Sequence, residues 1–196
     1  ELAQFFCRIG TRTTLIQRSN HILSKGDTDL AHPVETRFRE EGMELYTGTK
    51  LLRVESSGGR HTVFFIHGGN EKSVTSQTIL QALGRKPNIN GLNLSAAPVK
   101  TNQGRIDVDQ EMRTNVPHIY AVGDVNGLHE IVHIAIEQGE IAGHNATQKN
   151  TLRFDERLKI SITFTDPPVA SVGLSEKECR AQLIPYLTAS YPFDDH

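Results

Sequence analysis

The residues best suited to chemistry lie between positions 114 and 144. An apolar run at residues 119–122 reads as a short strand, and Gly123-Asp124 ends it with a flexible residue and a carboxylate. Ligands of open α/β sheets gather at the carboxyl ends of strands, so this aspartate is a candidate acceptor for a ligand hydroxyl. Gly-Asp is equally a common turn. Five residues of a second pattern follow: His129-Glu130-Ile131-Val132-His133 spells His-Glu-x-x-His. On a helix that spacing sets two imidazoles one turn apart with a carboxylate available as general base, the arrangement of a zinc hydrolase. Gly127 argues against it by putting the histidines at a helix start, and neither Glu156 nor His144 has a distinctive third-ligand spacing. No metal ligands are assigned.

The elements that must position these groups can be read from periodicity. Leu2, Phe5, Phe6 and Ile9 fall at helical spacing, Gly10 stands where a helix ends, and residues 13–17 form a β-branched strand. Residues 29–41 read as a polar surface helix whose Pro33 should fall in the first turn or shorten it. Strands are expected at 43–47, 51–55 and 61–67, with turns at Ser57-Gly58-Gly59 and Gly68-Gly69-Asn70. A further apolar strand is expected to begin at Thr78 and to end in the turn at Gly84-Arg85. A largely buried helix spans about 129–147. From 160 to 178 the pattern is strand, proline turn, short strand and helix, with Ser175 and Glu178 as a capping box.

Composition narrows the class. The chain has 196 residues, 37% hydrophobic and 22% charged, with a net charge of −2. That is enough chain for one large or two small domains, and the charge gives no reason to expect a nucleic-acid or membrane-surface binder. No apolar run approaches the ~20 residues of a spanning helix and no basic-then-apolar leader opens the chain, so a cytoplasmic location is expected. Cys7 and Cys179 form neither a Cys-x-x-Cys pair nor a metal half-site, and both are expected to be buried thiols. Because the chain opens on Glu1 inside a helix-like pattern, a fragment of something larger is expected.

Taken together, Thr114-x-x-x-x-Ile119-Tyr120-Ala121-x-Gly123-Asp124 resembles the second flavin-binding signature of the pyridine nucleotide-disulfide oxidoreductases, a family that includes dihydrolipoamide dehydrogenase, glutathione reductase and mercuric reductase. Three other segments agree. Ala82, Gly84, Arg85, Pro87 and Asn88 match the family's Ala-Thr-Gly-Arg-x-Pro-Asn run, with Leu83 in place of Thr. Phe164-Thr165-x-Pro167-x-Val169-Ala170-x-Val172-Gly173 is similar to the opening of its dimerisation domain. The helix and strand at 1–17 resemble the later part of a dinucleotide-binding βαβ unit.

The resemblance implies an α/β fold in three parts. These are a partial Rossmann-like NAD(P)-binding domain with a β insertion over 1–82, the second part of a FAD-binding domain over 83–149, and the beginning of an α+β dimerisation domain over 150–196. It implies FAD and NAD(P)H as cofactors. Gly123 and Asp124 would hold the ribityl chain, and Ile131, Val132 and His133 would face the isoalloxazine, with Ile134 where dihydrolipoamide dehydrogenases carry lysine. Glu1 would correspond to the acid near the nicotinamide, Gln17 and Arg18 would read the ribose of the second nucleotide, and Gly84 would allow close approach of the nucleotide cofactor. An acid at this ribose position favours NAD and an arginine NADP; Gln17-Arg18 leaves both open, and Arg18 also reads as a plain surface charge. The implied parent is a homodimer that passes electrons from NAD(P)H through FAD to a cysteine pair and then to a disulfide or metal-ion substrate. This chain has no Cys-x-x-x-x-Cys, so no catalytic residue is assigned and the isolated chain is expected to be inactive. Mercuric reductase, soluble pyridine nucleotide transhydrogenase and a nonenzymatic nucleotide-binding or dimerisation module remain alternatives.

Overall fold

The computed structural model describes residues 1–192. They divide into two compact units, Glu1–Gln81 with the segment beginning at Ile162, and Ala82–Ser161.

In the first unit, helix α1 (Leu2–Arg8) leads through Gly10, at φ +93°, into strand β1 (Thr14–Ile16). β1 pairs in parallel with β2 (Glu44–Tyr46), Thr14 opposite Glu44 and Ile16 opposite Tyr46. A parallel pair requires a crossover, and helix α2 (Thr28–Glu40) provides it. Ala31, Val34 and Phe38 share one face of α2 and are buried with Ile22 and Met43. Pro33 lies inside α2 and not in its first turn. It can donate no backbone hydrogen bond, and the buried face keeps the helix continuous across that gap.

Strands β3 (Lys50–Ser57), β4 (Arg60–His67) and β5 (Asn70–Ser76) form an antiparallel meander. Gly58-Gly59 and Gly68-Gly69 all have positive φ, as two-residue hairpin loops matching the strand twist demand. Phe65 on the central strand is fully buried, its ring 5.1 Å from that of Tyr46. β5 has the polar sequence NEKSVTS and owes its existence to pairing with β4 along its whole length, so no apolar alternation announces it. Residues 78–81 are not a strand; Ile79 and Leu80 are exposed, and among the described residues no strand pairs with them.

Gln4 is the polar centre of this unit. Buried on α1, its amide donates to the Asp166 carbonyl at 2.8 Å and accepts from the Asp166 N–H at 2.9 Å, as a peptide group would. Arg8 bonds the carboxylates of both Glu41 and Asp166. Hydrogen bonding to Arg8 holds both carboxyls below their ordinary values. Strands β8 (Ile160–Thr163) and β9 (Val169–Val172) form a two-stranded sheet. Helix α4 (Glu176–Ala181) begins at the capping box of Ser175 and Glu178 read from the sequence. Its first amides also donate to the Asp27 carboxylate, at 2.9 Å from Glu176 and 3.0 Å from Lys177. Asp27 precedes α2 but does not cap it with its side chain. Cys7 and Cys179 are free and only partly buried.

In the second unit, β6 (Thr101–Asn102) and β7 (Arg105–Ile106) make a short hairpin. Helix α3 (Val132–Thr147) buries Ile134, Ile141 and Ala142 against Met112 and Phe154. Residues 119–122 do not form a strand; Tyr120 makes one antiparallel bridge with Arg113. The reason is local: the Thr114 amide and hydroxyl both donate to the Ile119 carbonyl at 2.9 Å, closing the loop and ending the ladder after one pair. Among the described residues no helix is long and apolar enough to cross a membrane.

Candidate functional site

The Gly123-Asp124 turn is built on α3 from below. Gly123 opens a 3₁₀ turn, Gly123–Asn126, at φ +69°, and a Cβ added there would stand 3.2 Å from the Ala135 methyl carbon. Glycine is thus required twice, by the backbone angle and by the closeness of the helix. The Gly123 amide donates to Gln138 Oε1 at 2.7 Å, and the Asn126 side-chain amide donates to the same oxygen at 2.9 Å. Asn126 also donates to the Ala121 carbonyl at 3.1 Å and accepts from the Leu128 amide at 3.0 Å. Gln138 and Asn126 are essentially inaccessible to solvent. They are the site-building residues that motif reading passes over. The available signal was Gln138 standing at helical spacing between Ile134 and Ile141, a polar residue on the buried face.

This frame leaves the Asp124 carboxylate at the surface, 2.8 Å from Arg85 Nη2, with both side chains substantially exposed. Exposed ion pairs contribute little to stability, so the carboxylate is available to another partner. Gly84, at φ +102° and with open space where a Cβ would be, sets the turn that delivers Arg85; it belongs to the unit of Asp124, whereas Glu1, Gln17 and Arg18 belong to the other. Helix α3 begins without a side-chain cap: Ile131 occupies the N-cap position in an extended conformation. Its first-turn amides therefore present positive potential that no capping side chain satisfies. Val132 and His133 stand exposed on that turn, and His133 Nε2 is 3.0 Å from the Ile160 carbonyl oxygen.

The His-Glu-x-x-His pattern loses its helical meaning here. α3 starts at Val132 and not at His129, so the first histidine precedes the helix. His129 packs against Phe154 and lies 3.7 Å from Glu156, while His133 turns to Ile160.

In the first unit, Gln17 directly follows β1. Its amide bonds the Tyr46 carbonyl at 2.8 Å, and its own carbonyl accepts from Thr49 at 3.1 Å from the amide and 3.0 Å from the hydroxyl. Arg18 follows, exposed. Both stand at the carboxyl end of a parallel strand, where nucleotide ligands of such sheets bind. Glu1 is engaged elsewhere: its carboxylate accepts from the Phe164 amide at 2.7 Å. A cleft of about 610 Å³ lies between the 19–31 segment and α4, lined by Ser19, His21, Leu23, Asp29, Lys177 and Arg180 among others; neither Gln17 nor Arg18 lines it.

A parallel pair with a helical crossover, a β meander and a glycine-aspartate turn seated on a buried helix define a mixed α/β protein. Residues 1–139 match the family model for pyridine nucleotide-disulphide oxidoreductases, and the chain belongs to that family. It is 33% identical over 195 residues to a mercuric reductase of Staphylococcus aureus, covering 99% of this chain and 36% of the relative. To a dihydrolipoyl dehydrogenase of Mycobacterium bovis it is 36% identical over 186 residues, covering 94% and 40%. Among solved structures, LpdA from Mycobacterium tuberculosis superposes with a TM-score of 0.82 at 27% identity, covering 93% of this chain and 39% of that one. The Escherichia coli flavoprotein disulfide reductase RclA shares the fold, with a TM-score of 0.81 at 23% identity. The chain therefore spans well under half the length of these relatives.

Proposed function

We propose that this chain is part of a FAD-dependent NAD(P)H-disulfide oxidoreductase of the dihydrolipoamide dehydrogenase kind. The observation that carries the proposal is the Gly123-Asp124 turn, held by buried Gln138 so that a surface carboxylate sits beside the uncapped start of α3. The donor set suits a flavin. A carboxylate accepts hydroxyls of a polyol chain, unpaired helix amides favour an electron-rich ring edge, and exposed Val132 offers an apolar contact. Asp124 and the Gly123 backbone would hold FAD, with Ile131, Val132 and His133 facing its ring system. Bound FAD supplies two-electron redox chemistry between the nicotinamide and a cysteine pair.

Gln17 and Arg18 would read the ribose of NAD(P)H at the end of β1, and Glu1 would lie toward the nicotinamide. Gly84 would serve by letting the backbone at Arg85 come close to cofactor. In this reading no residue of the 196 is a redox cysteine, and residues 1–196 alone carry out no turnover. The apolar stripes left open along α1 and its C-cap (Leu2, Phe5, Ile9) and on α3 (Val132, Ile136) are where the rest of a longer, homodimeric protein would pack. The similarity to mercuric reductase supports a second substrate, a divalent mercury ion in place of a disulfide.

Steady-state oxidation of NADH and NADPH with lipoamide or mercuric ion as acceptor tests the reading in the whole protein. Arg18→Glu is expected to shift the cofactor ratio toward NADH by at least about tenfold, since an arginine paired with a 2′-phosphate is replaced by a repelling charge. An unchanged ratio would remove Arg18 from the ribose site.

A further inference from the structure

Among the described residues, one group of histidine and acidic side chains converges well enough to hold a metal ion, and it is not the His-Glu-x-x-His motif. His21, His32 and Glu35 bring one ligand atom each to within 4.8 Å of the others. We propose that these three residues form a binding site for a divalent transition ion of the zinc class, joining the segment after β1 to helix α2.

Each side chain is delivered by a separate feature of the fold. His32 and Glu35 are three residues apart on α2, so they project from one face. His21 comes from the loop that precedes the helix, and its ring stands 5.0 Å from that of His32 at 69°. Glu35 is almost wholly buried, only 4% exposed. Its Oε1 is fixed by the Ile22 amide at 3.0 Å, the kind of outer hydrogen bond that orients a metal ligand. His21 Nδ1 is also buried and makes no hydrogen bond, although it lies 3.4 Å from that same Oε1. An imidazole nitrogen and a carboxylate oxygen facing each other without a well-aligned hydrogen bond are held where two ligands belong. With metal bonds of about 2.0–2.1 Å, neighbouring ligand atoms of a tetrahedral ion stand about 3.3–3.4 Å apart, which is the separation already present. His32 is exposed, so its ring can turn inward to supply the third bond, and His21 also lines the adjoining cleft, through which solvent reaches the group.

One charge opposes the site. Arg39 Nη1 lies 3.8 Å from Glu35 Oε2, on the oxygen that does not face His21. Two imidazoles and one carboxylate match zinc, nickel or copper and not magnesium or calcium, which prefer all-oxygen sets.

The test is equilibrium dialysis of the purified protein against zinc chloride in competition with a calibrated chelator, repeated with cobalt(II) to read tetrahedral ligand-field absorption. Wild type is expected to hold one equivalent that depends on this group. His32→Ala, an exposed change that leaves the core untouched, should weaken binding at least about tenfold, because even outer-shell substitutions cost 10- to 100-fold. Glu35→Gln should do the same, with circular dichroism verifying the fold. His129→Ala should leave the affinity unchanged. Wild-type protein that holds no zinc beyond the His32→Ala variant would overturn the proposal, as would an equivalent that is lost with His129 and kept without His32.

Discussion

Helices α1 and α3 both carry apolar residues at helical spacing, and they differ in how much of that apolar surface the chain itself covers. In α3, Ile134, Ile141 and Ala142 enter the core of their unit, and buried Gln138 among them holds the Gly123 turn. In α1 Leu2 and Phe5, and Ile9 just past its end, are each more than half exposed, and the one buried residue of the helix is the polar Gln4. An apolar stripe states that a face needs a partner; it does not state that the partner lies in the same 196 residues. In each helix a buried glutamine, Gln138 in α3 and Gln4 in α1, satisfies backbone groups of another segment.

Breaking the α3 side of the comparison should cost most. Gln138→Leu removes the acceptor for the Gly123 and Asn126 donors, each buried, and is expected to destabilise the second unit by about 2–4 kcal/mol. Urea denaturation followed by far-ultraviolet circular dichroism would read this, and a loss below about 0.5 kcal/mol would show that the Gly123 turn does not depend on Gln138. The α1 side predicts the contrary. Phe5→Ser in the 196-residue chain should change stability by no more than about 0.5 kcal/mol, as exposed substitutions do. In a longer protein that covers this face, the same change should cost at least about 2 kcal/mol. Equal costs in both settings would mean that nothing packs on α1. The smallest effect concerns pH. Arg8 holds Glu41 below its ordinary 4.5 and Asp166 below its ordinary 3.8. With folded values below unfolded ones, their contribution is complete above those ordinary values and is lost as the pH falls below them. Denaturation midpoints measured from neutral pH to about 3 should therefore decline less steeply in Arg8→Met than in wild type.

Much of this was legible in the sequence, for physical reasons that differ by element. β1, β2 and the capping box at Ser175 are set by short-range chemistry, a β-branched run in β1, an apolar and aromatic pair in β2 and a hydroxyl three residues before a glutamate, and they stand where the pattern puts them. β5 was invisible because a polar hairpin strand is held by backbone pairing, which leaves no apolar period. Residues 119–122 look like a strand because they are apolar, yet Thr114 closes the loop before a ladder can extend. The extent of α3 was overestimated at its start, and with it went the helical spacing on which His129 and His133 depended. The roles of Gln138 and Asn126 and the convergence of His21 with His32 and Glu35 are products of tertiary packing, which brings a loop against a helix in a way that no local pattern announces.

The most direct test of the central claim is flavin retention at the Gly123-Asp124 turn. Protein incubated with FAD and passed through a desalting column is expected to keep the flavin's visible absorption, and Asp124→Ala is expected to lose it while retaining its circular dichroism. Equal flavin retained by wild type and Asp124→Ala would contradict the assignment of this carboxylate, and no flavin on either would contradict the site as a whole.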